Sequence, residues 1–353
     1  MRKLMNAGIA MLTALCITVS VQAGAGEAKK HLGIATYSVK GLESDIEGSL
    51  KSLADAGYAV MEISNYNAAK SMVATYSLAD YAALVKKYGM TIISSHARAK
   101  FDVKDEAGSL AAWGKLFDDH KILGCKYVIF PMNMWSNTMD ALKAECALMN
   151  KIGEEANKRG IKFGYHNHSF EFATVPGTDM MFEDFLIANT DPSKVFFQMD
   201  VYWTTQGGQN PVDYLKKYPT RIKVLHIKDD YVIGESGAID YKAIFTQFYK
   251  NGGEDWFVEI ESKMTPEQKA MMAGMMEQMK ARMSGQQPAA PAAGAPPAGA
   301  PPAGGQGGAR SGAPQGMPGM GPQDPKVVAE NLKESLSAIT LSAEYLKKSD
   351  FVK

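Results

Sequence analysis

The chain has 353 residues, balanced at 38 basic and 38 acidic side chains, and 46% of it is hydrophobic. That is enough apolar material for a sizeable core, and the charge balance excludes the strongly basic surface that a nucleic-acid or anionic-membrane partner requires. With 3 cysteines and no CxxC or zinc-ribbon spacing, it is organised neither by a disulfide framework nor by a cysteine metal site.

Residues 1–23 read as a secretory signal. Arg2 and Lys3 form a basic start, residues 7–21 are mostly apolar and uncharged, and Val21-Gln22-Ala23 is a small-x-small cleavage site before Gly24. The apolar run is shorter than the roughly 20 residues that a membrane span needs. Leu15 is too bulky a neighbour for Cys16 to be a lipid-attachment site. The expected location is therefore secreted or periplasmic, without a stable membrane span. Cleavage would leave 36 basic against 38 acidic residues. Cys125 and Cys146 remain; they could pair in an oxidising compartment or stay as two buried thiols, since one opens an apolar strand and the other sits in the following helix.

Beyond a short polar lead, strands and helices alternate. A strand at 32–37 precedes a helix at 45–56, where Ile46, Leu50 and Leu53 share a face and Gly57 is the stop. A strand at 60–63 leads to a helix capped by Ser77 and stopped by Gly89, with Asp80 in the capping-box position. The same alternation gives strands at 91–96, 126–131, 161–168, 195–201, 222–228 and 256–261. Helices are expected at 110–123, 140–159, 181–188, 211–218 and 241–250. Eight strands separated by helical segments imply parallel pairing through crossovers. A closed (β/α)8 TIM barrel fits better than an open doubly wound sheet, because Thr36-Tyr37-Ser38-Val39-Lys40-Gly41 lacks the glycine-rich phosphate turn of the latter.

The rhythm breaks at 285–323, which is almost entirely Pro, Ala, Gly, Gln and Ser and has too little apolar surface to offset ordering. Asp324-Pro325 then restarts a helix whose stripe of Val328, Leu332, Leu336, Ile339, Ala343 and Leu346 makes it the eighth barrel helix. One barrel domain thus occupies 31–263 and 325–348, with a disordered insertion between strand eight and its helix. A Met-rich helix at 264–284 precedes the insertion. Its thioethers suggest Cu(I) binding or, more simply, an adaptable apolar face.

In a closed parallel barrel the C-terminal strand ends share one mouth. That gathers Glu62, His96, His166, His168, Asp200, His226, Lys228, Glu259 and Glu261. Mixed imidazole and carboxylate donors suit a divalent metal: Mn, Zn, Co, Fe, Ni or, through the oxygens, Mg. The expected metal shell is His166, Asp200, His226 and Glu259. Tyr37, Trp135 and Trp203 follow strands one, four and six, placed either to stack on a sugar ring or to pack under loops.

Ala54-Asp55-Ala56-Gly57-Tyr58 leading to Met61-Glu62-Ile63, then Tyr165-His166-Asn167-His168, Met199-Asp200-Val201, His226-Ile227-Lys228-Asp229, the segment 234–240 and Trp256-Phe257-Val258-Glu259 resemble the xylose isomerase-like TIM barrels. These are sugar (phosphate) isomerases and epimerases, including ketose 3-epimerases and inosose dehydratase-like proteins. The resemblance implies a divalent metal held by Glu, Asp, His and Glu from strands five to eight; Asp200, His226 and Glu259 match three of these places. Strand five departs, with His166 where the epimerases have glutamate. In those enzymes the two ligand glutamates are also the acid/base pair, so only Glu259 retains that role here. His166 can serve as ligand or base, near neutrality in either case; His168, Glu171, Glu62 and Lys228 are the other proton-transfer candidates.

The chemistry that fits is proton removal beside a sugar carbonyl, aided by the ion and by Lys228. The expected catalytic set is His166, Glu259, Lys228 and His168, with Glu62, His96, Tyr37, Trp135 and Trp203 binding substrate. Return of the proton gives an isomerase or epimerase, whereas loss of a β-substituent from a keto-glycoside gives a lyase. Secretion favours an unphosphorylated keto-sugar. A non-catalytic sugar-binding module would not need so many titratable groups, and the lack of basic surface sets aside DNA repair by related endonucleases. No feature of the sequence specifies an oligomeric state.

Overall fold

The computed structural model describes residues 31–286 and 324–353. The expected signal at 1–23 and all but the first two residues of the expected insertion lie outside the described residues.

Eight parallel strands form the barrel: β1 (Leu32–Ala35), β2 (Tyr58–Ile63), β3 (Thr91–Ser95), β4 (Tyr127–Phe130), β5 (Lys162–His166), β6 (Val195–Asp200), β7 (Ile222–Ile227) and β8 (Asp255–Val258). They pair in the order β3-β2-β1-β8-β7-β6-β5-β4. The ring closes between β3 and β4 through the parallel bridge His96–Ile129, with the Ala97 amide donating to the Ile129 carbonyl at 3.0 Å and the Lys126 amide to Ile93 at 2.8 Å. The closed barrel expected from the alternation is what the strands build. β1 and β8 approach so closely that a Cβ on Gly33 would lie 2.1 Å from the Trp256 carbonyl oxygen.

Crossover helices follow: α1 (Ile46–Ala56), α2 (Leu78–Lys87), α3 (Glu106–Leu123), α4 (Met139–Lys158), α5 (Phe182–Asn189), α6 (Val201–Gln206), α7 (Pro211–Lys217) and α8 (Tyr241–Lys250). Beyond β8 come α9 (Pro266–Met283) and α10 (Pro325–Lys348). α10 packs as the eighth barrel helix: Tyr58 donates to its Ile339 carbonyl at 3.0 Å, and Tyr345 meets Tyr241 of α8 ring to ring. None of the helices among the described residues is long and apolar enough to cross a membrane.

Local chemistry explains the departures from the sequence expectations. α3 begins four residues before the expected 110 because the Asp105 side chain caps it, accepting from Gly108 N at 3.0 Å. The first strand is shorter than 32–37, since Thr36–Ser38 turns into a 3-10 helix. The fifth stops at His166 rather than 168. The sixth ends on Asp200, which caps the unforeseen α6. A small antiparallel sheet (Tyr66–Asn67, Met72–Val73, Tyr76–Ser77) between β2 and α2 was also unforeseen. Cys125 and Cys146 are free and buried. In α9 the inner row Met276, Met279 and Met283 packs on the core while Met271 and Met275 face outward, an adaptable apolar face of the kind methionine suits.

One core group makes the fold sensitive to acid. His120 in α3 is fully buried, its Nδ1–H donating to the Leu116 carbonyl at 2.7 Å and Nε2 accepting from Ser95 Oγ at 2.9 Å. Burial pushes its pKa down to about 4, against the pull of the Leu116 carbonyl and Asp119. Because the unfolded ring takes a proton near 6.5, the stability that this neutral ring contributes is present above that pH. It is lost as pH falls from there through about 4, to the extent of about 3 kcal/mol. Urea unfolding of wild type and His120→Gln should show a stability gap that narrows between pH 7 and pH 4.5.

Candidate active site

Side chains two apart on a strand share a face, and that period builds the site. Inside the barrel, Ala35, Val60, Tyr127, Ile129, Phe196, Val224 and Phe257 form an apolar plug. Gly164 opens space for the Phe196 ring, which a Cβ there would meet at 2.5 Å. Two residues on along the same strands come Glu62, His166, Gln198, His226 and Glu259. Two further on come Asp200, Lys228 and Glu261. The first rank is apolar, the second and third polar, and the third lies furthest along the strand direction.

Glu62 is the hub of the second rank and only 1% exposed. Its Oε1 accepts from His226 Nε2 at 2.6 Å and lies 3.2 Å from His96 Nε2. Its Oε2 accepts from Ser94 Oγ at 2.7 Å and Gln198 Nε2 at 2.9 Å. Burial alone would favour the neutral acid, but His96, His226 and Ser94 outweigh it and hold Glu62 below the usual carboxylate range. Gln198 Oε1 in turn meets His96 Nε2 at 2.7 Å and His166 Nδ1 at 3.0 Å. The His96, His166 and His226 rings sit within 4.7 to 4.8 Å of one another, centroid to centroid.

Toward the mouth, Lys228 Nζ bridges Glu259 (2.6 Å) and Glu261 (2.7 Å) and lies 5.1 Å from the Trp203 ring centre. Glu261 also accepts from Tyr37 Oη at 3.1 Å, and Lys40 covers the Tyr37 ring. Asp200 Oδ1 accepts from Trp203 N at 2.8 Å, leaving Oδ2 buried and unpartnered. Burial pushes Asp200 up to about 7 while Lys228 pulls it down. Burial also opposes a charged His226, yet Glu62 and Glu259, the latter 3.1 Å from Nδ1, raise it to about 10. Glu259 is desolvated too, but Lys228 and His226 keep it well below the ordinary range. His166 is held neutral, first by burial and then by its imidazole neighbours. His168 is lowered to about 3 by burial and by Lys228.

The structure thus gathers His96, His166, His226, Asp200, Lys228 and Glu259 at one end of the barrel. Other residues fall elsewhere. Glu62 has both oxygens engaged, by His226 on one and by Ser94 and Gln198 on the other. His168 is past the end of β5 and not on its pleat; the ring reaches His166 from a loop, stacked on Phe170, with Nδ1 unpartnered. Trp135 is a packing residue, buried with its Nε1 donating to Tyr165 Oη at 3.0 Å. Glu171 is buried beneath the loop, bound by Tyr165 Oη and by His168 N at 2.8 Å, and burial raises it to about 8. Trp203 is nearly buried on α6, whereas Tyr37 is 39% exposed at the rim. Gln198, Ser94 and Lys40 were not singled out in the sequence. The available signal was Gln198 itself: an amide inside an apolar strand requires buried partners.

Two overlapping donor groups could hold a metal: Asp200, His226 and Glu259, and His96, His166 and His226, each with its ligand atoms within 4.8 Å. The first fits a divalent cation better. Asp200 Oδ2 is a buried oxygen without a hydrogen-bond partner, and His226 Nδ1 is directed toward the Glu259 carboxylate. In the second group, nitrogens of all three rings are already engaged by Glu62 or Gln198.

A sequence model described as xylose isomerase-like TIM barrel matches residues 50–281. An inosose dehydratase of Clostridium botulinum is 30% identical over 141 residues, covering 33% of this chain and 46% of that protein. One of Clostridium beijerinckii is 29% identical over the same coverage. The match therefore spans less than half the length of these curated relatives. Among solved structures, a sugar phosphate isomerase/epimerase of Parabacteroides distasonis superposes with a TM-score of 0.68 at 29% identity, covering 92% of this chain and 100% of that one.

Proposed function

We propose, for a chain that belongs to the xylose isomerase-like TIM barrel family, a secreted or periplasmic metal-dependent enzyme that removes the proton beside a carbonyl of an unphosphorylated keto-sugar and returns it as an isomerase or epimerase. The observation that carries this reading is the convergence of Asp200 Oδ2, His226 Nδ1 and Glu259 at the barrel mouth, beside the buried ammonium of Lys228. Asp200, His226 and Glu259 would hold the divalent ion, with His166 the neighbouring donor. When bound, the ion supplies Lewis-acid polarisation of the carbonyl.

The remaining work falls to the chain. Glu259 is ionised and His166 neutral, so each can accept a proton. Lys228 is held charged by Glu259 and Glu261 against its burial and faces the negative charge that develops on oxygen. Tyr37 at the rim and Trp203 beside Lys228 offer aromatic surface to a sugar face. Both Lys228 and Lys40 are engaged with Glu261, which disfavours their use as phosphate ligands and supports an uncharged substrate.

The curated relatives favour a second outcome of the same proton removal. A dehydratase is by name an eliminating enzyme, and His166 leaves Glu259 as the one ligand carboxylate of the expected acid/base pair. Elimination from a keto-glycoside would release its β-substituent. Metal analysis of the purified protein, followed by NMR of solvent deuterium entering unphosphorylated keto-sugars and keto-glycosides, tests both. The expected result is deuterium beside the carbonyl, abolished by EDTA and restored by Mn(II), with cleavage products marking elimination. A metal-loaded protein that neither exchanges nor cleaves any of the panel sinks the reading; unchanged sugar affinity in metal-free His166→Ala would indicate a binding module instead.

A further inference from the structure

The second rank of the site contains a pair of buried side chains that between them touch every histidine in the metal-donor groups. Glu62 and Gln198 are both buried, at 1% and 0% exposure. Gln198 Nε2 donates to Glu62 Oε2 at 2.9 Å. The Gln198 carbonyl oxygen must then face the two rings, and a carbonyl oxygen can only accept. His166 therefore carries its proton on Nδ1 and His96 on Nε2. By the same argument, the His226 nitrogen 2.6 Å from Glu62 is protonated at Nε2.

We infer that Glu62 and Gln198 are positioning residues that fix the tautomers of these imidazoles, presenting His226 through Nδ1 and His166 through Nε2. The inference rests on the reading of the site as a metal-dependent sugar enzyme and adds to it which ring nitrogen does the work. His226 Nδ1 lies 3.1 Å from Glu259 and so also carries a proton in the metal-free site; a bound cation would displace that proton, while Glu62 on the far side of the ring retains the one on Nε2 and keeps Nδ1 toward the donor group. His166 Nε2 has no hydrogen-bond partner among the described residues, whereas Nδ1 is committed to Gln198. A free lone pair on a neutral ring is what a proton acceptor or an additional ligand requires. Ser94 completes the arrangement by donating to the Glu62 oxygen that also receives Gln198, which holds the carboxylate in one orientation.

Tautomers are read directly, without substrate, by long-range 1H–15N correlation spectra of histidine-labelled full-length protein loaded with diamagnetic Zn(II). In wild type, His166 should show a proton on Nδ1 with Nε2 unprotonated or zinc-bound, and His226 a proton on Nε2. In Gln198→Met, which keeps side-chain volume but cannot accept from the rings, His166 should lose its Nδ1–H preference and zinc affinity should fall by about 10- to 100-fold. The thermal midpoint serves as a folding control. A wild-type His166 protonated at Nε2 overturns the inference, as does a Gln198→Met protein with both tautomers unchanged. Should that variant fail to fold, the wild-type spectrum decides alone. Because no turnover is measured, the tautomers can hold while the sugar chemistry fails, and the reverse.

Discussion

Glu259→Gln will exchange substrate protons with solvent about 10^3-fold more slowly than wild type, even at saturating metal. The substitution keeps the shape of the side chain and removes its charge. In the native site that charge has two partners at the end of β7, Lys228 at 2.6 Å and His226 Nδ1 at 3.1 Å. The loss combines a missing proton acceptor, worth about 10^2- to 10^4-fold, with a donor that binds a dication less well. Measuring kcat for deuterium incorporation across a Mn(II) titration separates the two. A deficit that vanishes at high Mn(II) makes Glu259 a ligand alone, one that persists makes it an acid/base group, and wild-type exchange at all metal levels would remove it from the mechanism.

Lys228→Met should be the most destabilising single change in the site. Lys228 is fully buried and neutralises two carboxylates. Removing one partner of a buried ion pair costs about 3–5 kcal/mol, because the other is left as an uncompensated charge. Glu259, which now sits well below the ordinary carboxylate range chiefly through Lys228 and His226, would have its pKa raised. A carboxylate whose folded pKa rises stabilises the fold at low pH and loses that contribution as pH rises, so the penalty should be larger at pH 8 than at pH 5. Urea midpoints at the two pH values test this. The Lys228→Met/Glu259→Gln double variant should recover part of the loss, since it removes cation and anion together. Additive effects would show that the pair contributes no coupling.

The barrel was legible because its signals are periodic and local. Apolar runs closed by glycine-stopped helices gave all eight strands and the place of the last helix. The site residues were legible because period-two alternation puts polar side chains at the ends of apolar strands. What stayed hidden was partnership. Glu62 and Glu259 look alike in sequence, each an acid near the end of an apolar strand, yet one is bound by His226, Ser94 and Gln198 while the other pairs with Lys228 and His226. Which partners each meets is set by the neighbouring strands, a tertiary property. Trp135 and Trp203 illustrate the same limit, for an aromatic that follows a strand can stack on a ligand or fill the space beneath a loop. Asp200 was read as a ligand but not as a cap; one carboxylate does both, since Oδ1 holds α6 while Oδ2 is left for the site.

The seam where the ring closes has a consequence for how the protein breathes. β3 and β4 meet at the His96–Ile129 bridge, and His96 is also the residue whose ring lies against Gln198, Glu62 and His226. The circumferential joint and the candidate site are therefore one locus. A fluctuation that parts these two strands also withdraws an imidazole from the histidine cluster, and whatever occupies the pocket acts as a clasp on the barrel.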